Sequence, residues 1–379
     1  MSNSQLKSWL EISEKAARHN FQTIKTILRP KTKVWVVVKS NAYGHGLVIF
    51  SKMADRLGVD GFCVDSVIEG AKLRENGIEK PILVLGPTFP NLLKIAAENK
   101  ITITISSQDA LFEWLKSRHR PDFHLKIDTG MHRQGFYVEN LPKAITIIEK
   151  FLPAGRQVKL KIKNSLKGTY THFASAKDIN YPTFTELQFK KFQEAIGILE
   201  RAGFKNLIRH CAATGGCLIN KKYHLDAVRM GIGLYGIWPS KELEIQTEKL
   251  TFKPVLSWHT LISEVKIAKK GDYIGYDLTE RVFKPTNIAV LPVGYWHGFS
   301  RALSGIGEVL INGKKARILG RVSMDMIVAD VTGIKCKRGD KAVLIGLDLP
   351  AAEMAQKIGA SPYEIITRIN PLIERVNAR

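Results

Sequence analysis

Along the first two-thirds of the chain, short runs of consecutive apolar residues alternate with stretches of helical periodicity. Val34-Trp35-Val36-Val37-Val38 is apolar at every position, so the strand it predicts over 33–39 has no polar face and is buried on both sides. Similar runs predict strands over 61–64, 81–85, 101–105, 124–127, 168–172, 207–210 and 227–229. A short strand over 9–12 leads into Ser13, which can cap a helix with Ala17, Phe21, Ile24 and Leu28 on one face. Further helices are predicted over 46–57 and over 68–76, the second stopped by Gly77. This alternation, sustained over roughly 240 residues, predicts an α/β fold with a parallel sheet, most simply a (β/α)8 TIM-type barrel.

From about Thr251 the pattern changes. Strands are expected over 255–267, 288–293, 307–319, 326–331 and 341–345, with Asn312-Gly313 as a hairpin turn. One helix, over 350–358 and ended by Gly359, interrupts them. The expected organisation is therefore a barrel over 1–250 and a mostly β domain over 251–379, to which residues 1–12 can contribute a strand. Residues 151–167, rich in Arg and Lys, fit neither pattern and read as a surface insertion in a barrel loop.

Composition narrows the class. The chain has 379 residues, 45% of them hydrophobic and 24% charged, the balance of an ordinary globular protein. No apolar run is long enough to span a membrane, and the opening residues lack a signal-peptide core. Four sparse cysteines without CxxC spacing argue against a disulfide framework or a metal site, and fit a reducing cytoplasm. The net charge of +22 invites comparison with nucleic-acid binders. The lysines are spread along the chain and form no recognisable module, so they read as a solvated surface and no nucleic-acid partner is expected.

Lys39 ends the first buried strand and is followed by Ser40-Asn41-Ala42-Tyr43-Gly44-His45-Gly46. The carboxyl ends of parallel strands are where barrel active sites are built. A desolvated amine there loses basicity and can form a Schiff base, although a strand-ending lysine can equally well point to solvent. The surrounding stretches matter more. Residues 37–46 read VVKSNAYGHG, 126–136 KIDTGMHRQGF, 170–174 YTHFA, 226–236 DAVRMGIGLYG, 271–279 GDYIGYDLT, 293–298 VGYWHG and 320–325 GRVSMD.

Taken together and in this order, these stretches closely resemble the alanine racemases, pyridoxal-phosphate enzymes with a barrel and a C-terminal β domain. The resemblance covers nearly the whole chain. It implies interconversion of L-alanine and D-alanine, supplying D-alanine for peptidoglycan, by a homodimer whose sites are completed across the interface. It implies that Lys39 carries the cofactor and serves as the base on one face of the substrate. Racemisation needs a second base on the opposite face, and the resemblance implies Tyr276 of the neighbouring subunit, with His172 and Arg229 as the cationic neighbours a phenol would need. Arg229 is implied to bond the pyridine nitrogen, which a permanently charged donor leaves unprotonated.

Tyr43, Thr214, Gly231 and Ile232 match the phosphate site, where glycines allow close backbone approach. Arg133 is implied to hold the cofactor's phenolic oxygen and the substrate carboxylate, and Met324 to bind that carboxylate through its N–H. Lys126 matches a lysine carbamylated in several relatives, while Tyr295, Arg301, Arg321 and Asp325 match the entrance region.

The chain departs from the family at Ser323 (often cysteine), Ala213 (commonly asparagine) and Pro371 (tyrosine in some relatives). It also has Tyr295-Trp296-His297-Gly298 in place of the common YADG. Three alternatives compete with this reading. A racemase of broader range differs only in pocket size. A same-fold decarboxylase would place cysteine where this chain has Tyr276. A barrel-only cofactor carrier would lack the β domain altogether.

Overall fold

The computed structural model describes residues 6–150, 164–247 and 249–378. Eight strands form the first architecture: β2 (Lys33–Val37), β3 (Gly61–Val64), β4 (Ile82–Val84), β5 (Ile103–Ile105), β6 (Phe123–Lys126), β7 (Leu166–Tyr170), β8 (Ile208–His210) and β9 (Ala227–Met230). They make two parallel ladders, β4-β3-β2-β9 and β5-β6-β7-β8. Single bridges, Leu83 to Thr102 and Ala213 to Arg229, join the ladders at both seams. The result is the closed (β/α)8 barrel that the alternation predicted.

Apolar residues on both faces of β2 are needed because each face meets protein. Val34, Val36 and Val38 pack outward into the large core under the helices. Trp35 and Val37 turn inward with Cys63, Leu83 and Ala227. The rest of the barrel interior is polar: His124, Lys126, His210 and Arg229 are all buried there. Among the helices outside, Glu14–Ile27 is capped by Ser13, whose side chain accepts from Ala16 N, and buries Ala17, Phe21 and Ile24 as their spacing predicts.

The second architecture is a nine-stranded sheet in the order β11-β12-β15-β14-β13-β16-β10-β1-β17. Its members are β1 (Ser8–Ile12), β10 (Leu256–Leu261), β11 (Glu264–Ala268), β12 (Thr286–Leu291), β13 (Glu308–Ile311), β14 (Lys314–Leu319), β15 (Ile327–Asp330), β16 (Lys341–Ile345) and β17 (Glu374–Asn377). The first strand of the chain lies antiparallel to β10 and parallel to β17. The expected β13–β14 hairpin forms, with positive φ at Asn312 and Gly313.

The structure departs from the sequence expectations locally. The run over 255–267 is two strands, because the chain changes partners at Ile262–Ser263: β10 pairs with β1 and β16, while β11 pairs with β12. Strand β2 stops at Val37, two residues early. Strand β17 and the helix Pro362–Thr367, which opens with a capping Ser361 and Pro362 at its start, were not anticipated. Of the basic segment, 151–163 lies outside the described residues, while Lys167 belongs to β7 and pairs with Asp122 at 3.6 Å.

The segment after β2 positions the site. Ser40, Asn41, Ala42 and Tyr43 all have φ between +51 and +56°, and Gly44 follows at +82°. Left-handed backbone costs a residue with a side chain roughly 1–2 kcal/mol, so a run of four must be held from outside. Glu69 accepts from Asn41 N at 3.3 Å and from Asp65 N at 2.8 Å, and Asn41 Oδ1 accepts from Leu47 N at 2.8 Å. From the β domain, Arg375 donates to Gly44 O at 3.0 and 3.2 Å.

At Gly44 an added Cβ would stand 2.0 Å from Ile366 O, besides requiring left-handed backbone. Gly44→Ala is therefore expected to destabilise the fold by about 2 kcal/mol or more, read as a lowered urea midpoint. An unchanged midpoint would show that this clamp contributes nothing.

Candidate active site

A cavity of about 410 Å³ opens at the carboxyl ends of the barrel strands. Lys39, Tyr43, Lys126, Arg133, His172, Thr214, Arg229, Gly231 and Ile232 all line it. Nine of the residues singled out from sequence are thus brought together. A larger opening of about 750 Å³ contains none of them; its ionisable residues are His45, Tyr235, Lys241, Glu244 and Glu353.

Arg229 fixes the chemistry of the cavity floor. It is 2% exposed, and its partners are carbonyls and imidazoles, with no carboxylate pairing to it among the described residues. Nη1 donates to His210 Nδ1 at 2.7 Å and Nη2 to His172 Nδ1 at 3.1 Å. Further bonds reach the backbone oxygens of Thr171, His210 and Cys211. A guanidinium only donates, so both imidazoles offer a lone pair at Nδ1 and carry their proton on Nε2. His210 then donates from Nε2 to His124 Nδ1 at 2.9 Å.

Burial, reinforced by the Arg229 charge, pushes His124 down to about 3 and holds His172 and His210 well below the ordinary imidazole range. All three are neutral. The expectation that His172 is a cation is thereby corrected: the positive charge resides on Arg229, and His172 presents only an Nε2–H. Tyr170 lies beneath this group, stacked on His210 at 4.8 Å, with the guanidinium carbon 5.1 Å from its ring centre.

At the other end, Thr214 Oγ1 accepts from Gly233 N at 3.3 Å. A Cβ at Gly231 would meet the Tyr43 hydroxyl at 2.9 Å, and one at Gly233 would meet Thr214 Cγ2 at 2.6 Å. The turn following β9 therefore brings bare backbone up to two hydroxyls. Burial raises the Tyr43 phenol well above its usual range, so it stays protonated and able to donate. The side wall is cationic. Lys126 Nζ donates to Gln134 Oε1 at 3.2 Å and lies 5.5 Å from the Tyr170 ring centre. The loop that carries Arg133 is tied by Asp128, whose carboxylate accepts from the N–H groups of Gly130, Met131, His132 and Arg133. Burial alone would raise the Asp128 carboxyl, but these four bonds outweigh it and keep it low.

These residues fit pyridoxal phosphate. A buried, uncompensated cation faces one end, a glycine turn with two hydroxyls the other, and a half-buried lysine stands at the rim between them. The remaining candidates lie elsewhere. Tyr276 (67% exposed), Met324, Tyr295, Arg301, Arg321 and Asp325 are on the β domain and outside this cavity. They nonetheless adjoin one another: Arg321 pairs with Asp277 at 3.4 Å, and Tyr295 N and Trp296 N donate to the backbone oxygens of Ser323 and Met324. Gln134, His124 and His210 were missed. The two histidines sit on predicted strands, yet nothing local marked them as facing inward.

The match to known proteins is end to end. The model of the alanine racemase N-terminal domain matches residues 12–239, and that of the C-terminal domain residues 255–377. This chain belongs to the alanine racemase family. The alanine racemase of Carboxydothermus hydrogenoformans is 37% identical over 379 residues, covering 97% of this chain and 98% of that one. That of Leptospira interrogans serovar copenhageni is 33% identical over 381 residues, with 97% and 95% covered. Among solved structures, the alanine racemase of Clostridium difficile 630 superposes with a TM-score of 0.89 at 30% identity, covering 98% of this chain and 96% of the other. The Bacillus anthracis enzyme, solved with bound L-Ala-P, gives 0.87 at 32% identity, with 99% and 95% covered. As members of this family act through pyridoxal phosphate, the fit of the cavity to that cofactor and the family agree.

Lys126 offers a direct test of this cationic wall. Burial first, then Arg133, Arg229 and Lys39, lower its amine to about 8 from an ordinary 10.5. The unfolded chain thus binds the extra proton more tightly, and the folded protein gains stability as pH rises from about 8 to about 10.5. In Lys126→Met that increment should vanish from denaturation curves of the cofactor-free protein. A wild-type-minus-variant difference that is flat across this window would refute it.

Proposed function

We propose that this protein interconverts L-alanine and D-alanine with pyridoxal phosphate in the cavity above the barrel, in a homodimer whose second copy completes each site. The observation that carries the proposal is the division of the candidate residues: the cofactor-side groups share one cavity, while Tyr276 stands exposed on the other domain. We also place the protein in the cytoplasm, where its four free cysteines would stay reduced and D-alanine could be drawn into peptidoglycan synthesis.

When bound, the cofactor supplies an aldehyde for amine exchange and a ring that acidifies the substrate Cα–H. The protein's own groups do the rest. Lys39 would hold the cofactor between turnovers and, once released, move a proton at Cα from one face. Tyr276 of a second copy would move a proton at the same carbon from the other face. Two differently placed bases allow inversion, whereas one would return the proton to the side it came from.

Arg229 would donate to the pyridine nitrogen while remaining charged. A guanidinium keeps its own proton, so it would leave that nitrogen unprotonated and the ring a weaker electron sink than an acid there would. His172, neutral and held through Nδ1 by Arg229, has its Nε2–H free to donate toward the Tyr276 oxygen and support a phenolate. Tyr43, Thr214, Gly231 and Ile232 would bind the phosphate. Arg133 would hold the substrate carboxylate and the phenolic oxygen, with the Met324 N–H of the second copy as a further donor. Tyr295, Arg301, Arg321 and Asp325 of that copy would then shape the entrance and limit substrate size.

The deciding measurement is proton NMR of L-alanine in deuterated buffer with a chiral assay alongside. Loss of the α-proton signal with D-alanine accumulating is expected, and absence of both would overturn the proposal. Lys39→Ala should lose the borohydride-reducible cofactor adduct. Tyr276→Phe should slow turnover by about 10²- to 10⁴-fold while leaving that adduct intact. Mixing the two inactive variants should restore part of the activity through hybrid dimers. No recovery despite demonstrated hybrids would mean that the site is not shared.

A further inference from the structure

The larger cavity, of about 750 Å³, lies between the two domains and shares no wall residue with the proposed active site. On the barrel side its wall is the chain beyond β9, with Ile237, Trp238 and Phe252; on the other side stand Ile345 at the end of β16 and Ile366 on the helix Pro362–Thr367. Trp238 and Phe252 lie with their ring centres 4.7 Å apart. The polar side chains of this wall have partners of their own. Lys241 pairs with Glu244 at 2.7 Å, and Glu353 pairs with Lys315. The Tyr235 hydroxyl donates to Val37 O at 2.8 Å, and Ser240 Oγ to Lys177 O at 3.2 Å, while Gln356 is exposed.

His45 is the exception. It lines this cavity, it is fully buried, and its Nε2 has no hydrogen-bond partner among the described residues. Its Nδ1 lies 3.1 Å from Tyr43 O, and a carbonyl only accepts, so Nδ1 carries the proton. Burial lowers the imidazole to about 4, so near neutral pH it takes up no second proton and Nε2 presents a bare lone pair. The ring is held in place between Tyr235 at 4.5 Å and Phe50 at 5.8 Å. Leaving a buried acceptor unpaired is costly, and buried polar groups nearly always find a donor. A bound water needs about two to four polar partners, whereas here one side-chain acceptor faces apolar walls. An apolar body with a single donor answers both features, as in most small-molecule sites. Because the carboxylates along the wall are already paired, nothing there favours an ammonium as that donor.

We infer that the interdomain cavity is a second ligand site: it takes a small uncharged molecule with an apolar body and one hydroxyl, which donates to His45 Nε2. The test uses the full chain incubated with pyridoxal phosphate, so that the barrel-mouth cavity is not offered to the probe. It is titrated with 4-ethylphenol and with 4-ethylanisole, the same ring with its hydroxyl capped, and binding is followed by saturation-transfer NMR of the probe. A third titration uses Ala352→Trp. Ala352 is an exposed residue of the helix Ala351–Lys357 at the cavity wall, where an indole would obstruct the cavity without entering the core.

Saturable binding of 4-ethylphenol is expected, with 4-ethylanisole bound about five-fold or more weakly for want of the hydrogen bond. In Ala352→Trp the saturable binding of 4-ethylphenol should be lost. No saturable binding to the wild type, equal affinity for the two probes, or binding undiminished in Ala352→Trp would each overturn the assignment. None of these readouts depends on turnover, so the inference stands or falls apart from the racemase reading.

Discussion

A guanidinium buried inside the barrel is the constraint from which the rest of the site follows. Taking a cation out of water costs several kcal/mol, and a carboxylate is the usual remedy. Among the described residues Arg229 has none; three backbone oxygens and two imidazole nitrogens surround it instead. Neutral acceptors satisfy the N–H groups without cancelling the charge. The full positive charge is therefore kept for whatever occupies the cavity, which is what a site for an electron-poor ring with a basic nitrogen needs. The same charge dictates the histidine tautomers, because each imidazole facing Arg229 must present a lone pair. One cation thus orients the hydrogen bonds from His172 on one side to His124 on the other.

The lysine arm depends on a different constraint. A run of four left-handed residues would relax in isolation, and here it is held by Glu69 and Asn41 from within the barrel and by Arg375 from the β domain. The second domain is consequently part of the machinery that shapes the first. The chain's own ends reinforce this: β1 and β17 lie side by side in the β sheet, so the first strand anchors the barrel to the domain that clamps its active-site loop.

Much of this was legible in the sequence, for identifiable reasons. Strands buried on two faces leave continuous apolar runs, so β2 and its successors were plain, and Ser13 and Asn312-Gly313 announced a cap and a turn by chemistry that acts locally. What was hidden depended on distant contacts. Of Ser40-Asn41-Ala42-Tyr43 only Asn41 accepts left-handed backbone readily; the tertiary clamp imposes the run. The neutrality of His172 follows from its burial first and then from Arg229, 57 residues away. The partner switch at Ile262 is decided by strands that come later in the chain. The cavity residues singled out from sequence stood, Thr214 apart, in the short stretches that carried the resemblance; Tyr363, which lines the same cavity from the β domain, lies outside them.

The separation of the two residue sets is itself an argument about assembly. Among the described residues, the cavity is lined by Lys39, Lys126, Arg133 and Arg229 with several hydroxyls, and Tyr276 is not among them. The complementary group, Tyr276, stands 67% exposed beside Leu278 at 65%. A solvated phenol and an uncovered leucine on one short turn are a poor arrangement for a protein that acts alone. They make sense if that turn inserts into the mouth of a second copy's cavity. There the phenol would lose its water, meet the His172 Nε2–H, and come within range of the Arg229 charge. In that arrangement the environment that would make Tyr276 a useful base would be created only by association, as the shared site proposed above requires.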